Sequence, residues 1–334
     1  MKTLFLLFTL FATLFGDKIL TLATYNVENL FDLEKNGTEY EEYIPNSTSN
    51  WNQRNYKIKL ENISHVIKEM DADIIALQEI ENLQALMDLR FALKQKGLYY
   101  QYYSIADKKN TTVKVALLSK IPFLYSKELS VTLTNEHRNI LEAKFKIENQ
   151  ELYIFVNHWK AKSGPESKRV VSAKALKKRV EEIGYDKNII LLGDFNSDYE
   201  EHIKFARNRK HNDTNGITGI NHILGTINQQ ENSSKISSAK ESFYNLWYDT
   251  DEENRYTHIY KDKKEALDNI LISQPLLQNR DFSYIKNSIT NFNRNYLLSK
   301  KGVNRWEISQ GSIKKHKGEG YSDHLPIIAK FNIR

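Results

Sequence analysis

Three short apolar runs, each passing directly into acidic or amide side chains, constrain this chain more than any other feature. Ile19 to Tyr25 leads into Asn26, Ile74 to Leu77 into Gln78 and Glu79, and Ile189 to Leu192 into Gly193-Asp194-Phe195-Asn196. A fourth run, Leu325 to Ile328, is entered from Tyr321-Ser322-Asp323-His324. Runs this short, rich in Ile, Leu and Val, suit buried strands, although periodicity alone does not separate them from buried helix segments. Their polar residues then gather at strand ends, where rigid elements hold charges in fixed geometry. Any one such piece, Gly-Asp-Phe-Asn included, reads as a turn, because Gly, Asp and Asn are turn formers. All of them together, in order along one chain, are hard to explain as turns.

Leu60, Ile63, Ile67 and Met70 recur at helical spacing, which predicts an amphipathic helix over 55–70 ahead of the Ile74 strand. Ala173, Leu176, Val180 and Ile183 predict another over 167–183 ahead of the Ile189 strand. Leu141, Ala143, Phe145 and Ile147 alternate with Glu142, Lys144 and Lys146, a strand with one polar side, and Leu152 to Val156 reads as its neighbour. Strand, helix, strand alternations mixed with a strand-rich stretch over 113–157 imply an α/β fold of two sheets packed face to face with helices outside. Residues 225–242 are too polar to bury and read as a mobile loop. No Pro-, Gly- or Ser-rich linker divides the chain, so 17–334 reads as one domain.

Residues 1–16 place Lys2 before a mostly apolar run to Phe15. That run is short for a membrane span of about 20 apolar residues and fits a signal-peptide h-region. The expectation is export with cleavage near Gly16, to the periplasm or the medium, and no stable membrane insertion afterwards. A retained anchor and a buried N-terminal helix are the alternatives. The chain has no cysteine, so an exported product rests on its core rather than on disulfides. The formal net charge of +6 is uneven. Lys160, Lys162, Lys168, Arg169, Lys174, Lys177, Lys178 and Arg179 face one local acid, Glu166. Further clusters hold Lys204, Arg207, Arg209 and Lys210, and Arg294, Lys300, Lys301, Arg305, Lys314, Lys315 and Lys317. Each alone is a solvated face; three of them close in sequence to the acidic segments favour a polyanionic substrate.

Glu79, Asp194 and Asp323, with Glu28 and the amides Asn26 and Asn196, offer hard oxygen ligands of the kind that select magnesium, manganese or calcium. A metal held by few carboxylates and several waters points to phosphoester hydrolysis. His324 is a candidate base if a carboxylate orients its ring, and Asp268, at the start of another apolar run, is a candidate for that carboxylate. His158, between Asn157 and the cations Lys160 and Lys162, is the second imidazole.

Asn-Val-Glu at 26–28, Gln-Glu at 78–79, Asn-His-Trp-Lys at 157–160, Gly-Asp-Phe-Asn at 193–196, Leu-Asp-Asn-Ile-Leu at 267–271 and Ser-Asp-His-Leu-Pro at 322–326 resemble, in this order, the endonuclease/exonuclease/phosphatase superfamily, in its deoxyribonuclease I-like branch. The resemblance covers roughly 19–332 and implies a four-layer α/β sandwich, two packed mixed β-sheets flanked by helices. It implies that Glu79 is the principal metal ligand, that Asn26 and Glu28 support metal and phosphate, and that Asp323 is a metal-side carboxylate. Asp194 and Asn196 match the pair that positions water and phosphate, His324 the catalytic histidine, Asp268 its orienting partner, and His158 the second histidine of that branch. Leu267-Asp268-Asn269 departs from the Cys-Asp-Arg signature of the inositol polyphosphate 5-phosphatases.

The leading expectation is therefore a monomeric, exported, metal-dependent nuclease acting on DNA, with RNA as a further substrate, using Mg2+ or else Mn2+ or Ca2+. Lys160, Lys162 and Arg169 are its expected substrate-binding cations. One alternative is a sphingomyelinase-like lipid phosphodiesterase, for which Leu98-Tyr99-Tyr100-Gln101-Tyr102-Tyr103 is the only candidate membrane-facing segment. Another, a phosphate-binding scaffold without activity, predicts a missing ligand or histidine, and none is missing.

Overall fold

The computed structural model describes residues 18–205, 208, 210–226, 241–278, 280–300 and 302–334. The expected leader, Arg207, Arg209, Lys301 and most of the polar stretch 225–242 lie outside the described residues. Two parallel strand pairs organise everything else. The strands β1 (Lys18–Leu30) and β2 (Ile74–Ile80) run parallel because a helix, α1 (Gln53–Met70), carries the chain back between them. The strands β7 (Gln150–His158) and β8 (Asn188–Asp194) repeat the arrangement around the helix α3 (Glu166–Ile183). Parallel neighbours require such a crossover, and both expected helices are where periodicity placed them.

Among the described residues the first sheet holds seven strands. β1 is flanked by antiparallel β17 (Ile327–Ile333), and β2 by antiparallel β4 (Lys114–Ser119). β3 (Tyr102–Ile105), β13 (Phe282–Tyr284) and β14 (Thr290–Asn291) complete it. The second sheet runs β5 (Phe123–Leu129), β6 (Ile140–Ile147), β7, β8, β12 (Asp268–Ser273), β9 (Phe243–Asn245). Two small ribbons lie outside both sheets: β10 (His258–Tyr260) with β11 (Lys263–Glu265), and β15 (Leu298–Ser299) with β16 (Gly302–Val303).

Side chains on a strand alternate between faces, so each sheet carries two apolar surfaces. Leu20, Leu22, Ile74, Ala76 and Leu117 of the first sheet meet Leu141, Ala143, Ile154, Val156, Ile190 and Leu192 of the second in a continuous inter-sheet core. The opposite phase of the first sheet, Ala23, Tyr25, Ile75 and Leu77, is covered by Ile63, Val66 and Ile67 of α1 and by Leu86 and Leu89 of α2 (Leu83–Gln95). The outer face of the second sheet, Phe155, Ile189, Leu191 and Leu271, is covered by Ala173, Leu176 and Val180 of α3. These layers make a four-layer α/β sandwich. No described helix is long and apolar enough to cross a membrane.

The polar side of β6 differs from its expected exposure. Glu142 is buried, because Arg179 of α3 closes over it with bonds of 2.7 and 2.9 Å and Tyr125 adds one of 2.8 Å. A charge that alternation assigns to solvent is thus sealed between sheet and helix.

Gly193 shows how tightly the β7–β8 pair is drawn together. Its φ is +127°, and a Cβ there would lie 2.1 Å from the Asn157 carbonyl oxygen. Gly193→Ala is expected to destabilise the protein by about 3 kcal/mol or to prevent folding. Urea unfolding of the variant checks this, and an unchanged midpoint would contradict it.

Candidate active site

The C-terminal ends of both parallel pairs open on the same rim of the sandwich. Asn26 and Glu79 come from the first sheet, and His158 and Asp194 from the second. Asp268 opens β12 opposite Asp194, and His324 lies three residues ahead of the start of β17. The backbone is bent to aim these groups. Pairing of β1 with β2 shifts between Asn26 and Leu30, and pairing of β2 with β4 shifts between Gln78 and Ile80. Glu28, Asn29, Glu79 and Asn196 all adopt positive φ, at 50°, 63°, 67° and 48°. Bulges and left-handed non-glycine residues cluster where a side chain must be redirected.

Asn26 joins the sheets. Its Nδ2 donates to Glu79 Oε1 at 3.2 Å and to Asp194 Oδ2 at 3.1 Å. Asp194 also accepts from the Asn196 backbone N–H at 2.8 Å and from Asn196 Nδ2 at 3.1 Å, while Asn196 Nδ2 reaches the Trp159 carbonyl at 3.2 Å. Burial pushes Asp194 up to about 7, with Asp268 adding to the shift and the His324 charge opposing it. Burial, then Asp323, raises Glu79 as well.

The two histidines have opposite surroundings. His158 Nε2 lies 3.5 Å from Asp194 Oδ2 and 3.7 Å from Glu79 Oε1, and its buried Nδ1 has no protein hydrogen-bond partner. Burial, then the Arg138 charge, holds its pKa well below the ordinary value, so the ring is neutral; the two carboxylates assign its proton to Nε2. His324 Nδ1 sits 2.6 Å from Asp268 Oδ2, which also accepts from Thr257 Oγ1 at 2.6 Å. Burial opposes the charge on His324, but Asp268, Asp194 and Asp323 outweigh it and hold the pKa well above the ordinary value. Ser322 Oγ donates to the Asn26 carbonyl at 2.6 Å and accepts from His324 N at 3.1 Å, so the dyad is stitched to the first strand.

Three expected site residues are placed differently. Glu28 does not offer free oxygens: Oε1 accepts from Arg305 Nε at 2.9 Å and from Arg305 Nη2, and Oε2 from Trp306 N at 2.9 Å. It anchors Arg305, whose guanidinium also lies 3.3 Å from Asp323 Oδ2. Arg169 is buried and paired with Glu166 at 2.7 Å, and its Nη1 donates to the Ala161 carbonyl at 3.0 Å, so it shapes the 160–164 turn rather than facing a ligand. Lys162 is held at 3.0 Å by both Glu201 and Glu265. The same holds beyond the expected site residues, where Lys168 pairs with Glu136 and Arg179 with Glu142. Lys160 has no ion-pair partner among the described residues. Arg305, Arg138 and Thr257 were missed; Arg305 stood inside a basic cluster, while Arg138 and Thr257 carried no local signal.

A model of the endonuclease/exonuclease/phosphatase family matches residues 21–332. The chain belongs to this family. Members of the family are typically phosphodiester hydrolases and commonly use divalent metals. Solved structures share the fold at low identity. TDP2 of D. rerio, complexed with single strand DNA product, is 14% identical, with 95% of this chain and 100% of that chain covered and a TM-score of 0.56. A family protein from Bacteroides thetaiotaomicron is 15% identical, with 96% and 100% covered and a TM-score of 0.56. TDP2 from C. elegans is 14% identical, with 94% and 75% covered and a TM-score of 0.55. No curated protein matches the chain.

Asp268→Asn removes the charge that holds His324 protonated, so the NMR titration midpoint of the His324 ring is expected to fall. A raised folded pKa contributes stability that is full below the unfolded value of about 6.5 and is lost as pH rises through the folded value. The stability gap between wild type and Asp268→Asn should therefore be widest on the acid side and close at alkaline pH. A gap that widens with pH would contradict it.

Proposed function

We propose that this protein is an exported, metal-dependent phosphodiester hydrolase acting on nucleic acid, with DNA the first substrate and RNA a second. The observation that carries this reading is the meeting of Glu79, Asp194 and two oppositely tuned histidines on one rim, held together across both sheets by Asn26. Pairs of titratable groups with divergent environments separate the roles of acid and base.

The donor set fits a hard divalent cation. Burial, and after it the Asp323 charge, raises the cost of ionising Glu79, which a cation between the two carboxylates would relieve. Among the described residues no group of three or more His, Cys, Asp or Glu side chains is placed to hold a metal ion. Few protein ligands suit magnesium or manganese, which keep several waters, better than calcium. When bound, such an ion polarises a phosphoryl oxygen and stabilises the charge that develops on it.

The chain's own groups then divide the work. Asp194, oriented by Asn26 and Asn196 and pushed up to about 7, takes the proton of the attacking water. His158, neutral, donates a hydrogen bond from Nε2 to a phosphoryl oxygen without giving up its proton. His324, kept charged by Asp268, donates at the leaving oxygen. This assigns His324 as acid rather than base, because the carboxylates around it favour its protonated form.

Nucleic acid is favoured over lipid on three grounds. D. rerio TDP2 is complexed with single strand DNA product, and Lys160, Arg138 and Arg305 border the rim here. The segment Leu98–Tyr103 does not form an apolar hairpin: Leu98 and Tyr100 are buried, and Arg90 stacks on Tyr99 and Tyr103 at 5.0 and 4.9 Å.

Glu79→Gln is expected to keep its melting temperature and lose at least about 100-fold in turnover, since loss of even an outer partner of a metal ligand costs about 10–100-fold. A zymogram on DNA and RNA, with magnesium and with chelator, completes the test, and full activity in saturating chelator would overturn metal dependence. For export, the secreted or periplasmic product should begin near Asp17. A soluble cytoplasmic product that still begins at Met1 would refute it.

A further inference from the structure

The ribbon β10–β11 grows directly out of the His324–Asp268 dyad. Thr257, the residue before it, bonds Asp268 Oδ2 through its hydroxyl and accepts from Leu325 N at 2.7 Å through its carbonyl. His258 forms a backbone bridge with His324, and the two ring centroids are 5.2 Å apart. From this anchor the ribbon pairs His258 with Glu265, Ile259 with Lys264 and Tyr260 with Lys263. Lys261 and Asp262 close it with φ of 49° and 63°, the two-residue turn that matches strand twist. Neither is glycine; Asp262 is of a type that tolerates this conformation, whereas Lys261 adopts it against its preference.

Alternation puts His258 and Tyr260 on one face of the ribbon and Ile259 on the other. The His258 and Tyr260 rings are nearly parallel, 16° apart, with centroids separated by 6.5 Å. Ile259 turns inward and packs against the second core cluster. Tyr260 is 57% exposed, and the Lys261 ammonium lies 5.2 Å from its ring centroid. Among the described residues, neither Lys261 nor Lys263 belongs to an ion pair. In 160–179, by comparison, Lys162, Lys168 and Arg179 are neutralised by acids from elsewhere in the fold, while Arg169 and Lys177 pair with acids of their own helix.

We propose that His258 and Tyr260 form a stacking platform for an unpaired base beside the scissile phosphodiester, so that the substrate is single-stranded or locally unpaired nucleic acid. This rests on the nucleic-acid reading above and names the form of the substrate. A solvent-facing aromatic ring accepts any base by its π-face, and Lys261 and Lys263 are placed to meet the adjoining phosphates. Bases in a duplex are already stacked on each other and do not present that face. An anionic membrane fits less well, because the ribbon has one exposed aromatic and its other apolar side chain is turned inward.

The test measures binding of fluorescein-labelled single-stranded and duplex oligonucleotides by anisotropy, in chelator to prevent cleavage. Wild type, Tyr260→Phe, Tyr260→Leu and Tyr260→Ala are compared after their melting temperatures are shown to agree. Tyr260→Ala and Tyr260→Leu are expected to weaken single-strand binding about 10-fold, Tyr260→Phe to keep it, and duplex binding to change little. An abasic residue scanned along the strand should abolish the Tyr260→Ala effect at one position. Equal binding by all four proteins, where wild type does bind and cleave, would overturn the platform and leave the proposed function standing. A wild type that neither binds nor cleaves DNA or RNA would instead sink that function. Retention in Tyr260→Leu, with binding to phosphatidylserine vesicles lost in Tyr260→Ala, would overturn the platform in favour of a membrane contact.

Discussion

One side-chain amide ties the two halves of this molecule into a single site. Asn26 has two amide protons, and one goes to Glu79 of the first sheet and the other to Asp194 of the second. Its own carbonyls are used as well: Oδ1 accepts from Glu28 N at 3.0 Å, and the backbone oxygen accepts from Ser322. The inter-sheet core is apolar and without direction, so it brings the sheets to a common separation but does not set which charges meet. The amide supplies that direction. Without it, the buried Asp194 and the half-buried Glu79 would face each other with no donor between them, a costly arrangement where the dielectric is low.

Around this bridge the site is supported by long-range contacts. Lys59 of α1 is buried, and burial lowers it to about 8; its ammonium donates to the Tyr321 carbonyl at 2.8 Å and lies 5.1 Å from the Trp306 ring centroid. Trp306 in turn donates from its indole to His316 Nδ1 at 2.8 Å, and His316 Nε2 meets the Glu42 carbonyl at 2.7 Å. That chain of contacts secures the segment carrying Arg305, which pairs with Glu28 and Asp323. The rim thus has a cation fixed by carboxylates on one side and Lys160 with Arg138 on the other.

The platform proposed for β10–β11 follows the same logic. Thr257 serves the dyad and the ribbon at once, so the aromatic face is held in register with His324 rather than attached by a flexible tether. A ribbon that short is not stable alone. Its shape comes from the site beneath it.

Much of this was legible in the linear chain. The helices expected over 55–70 and 167–183, which run Gln53–Met70 and Glu166–Ile183 in the structure, and the strands beside them follow from repeats of 3.6 and 2 residues, which are local properties. The chemical types in the site were legible too, because a polar residue at the end of a buried strand has few places to go. Charge pairing was not. Glu28 meets Arg305 across 277 positions, Lys162 meets Glu265 across 103, and beyond the local acids Glu166, Glu181 and Glu182 the 160–179 segment is neutralised by the distant Glu136, Glu142, Glu201 and Glu265. The protonation of His158 and His324 was equally hidden, since both are histidines after a buried or turning strand. Sequence by itself determined the strands, the helices and the inventory of reactive groups, because backbone periodicity and burial act over a few residues. Tertiary structure alone decided which charges remain free and which imidazole holds its proton, because Coulomb energy and desolvation depend on distance in space rather than along the chain.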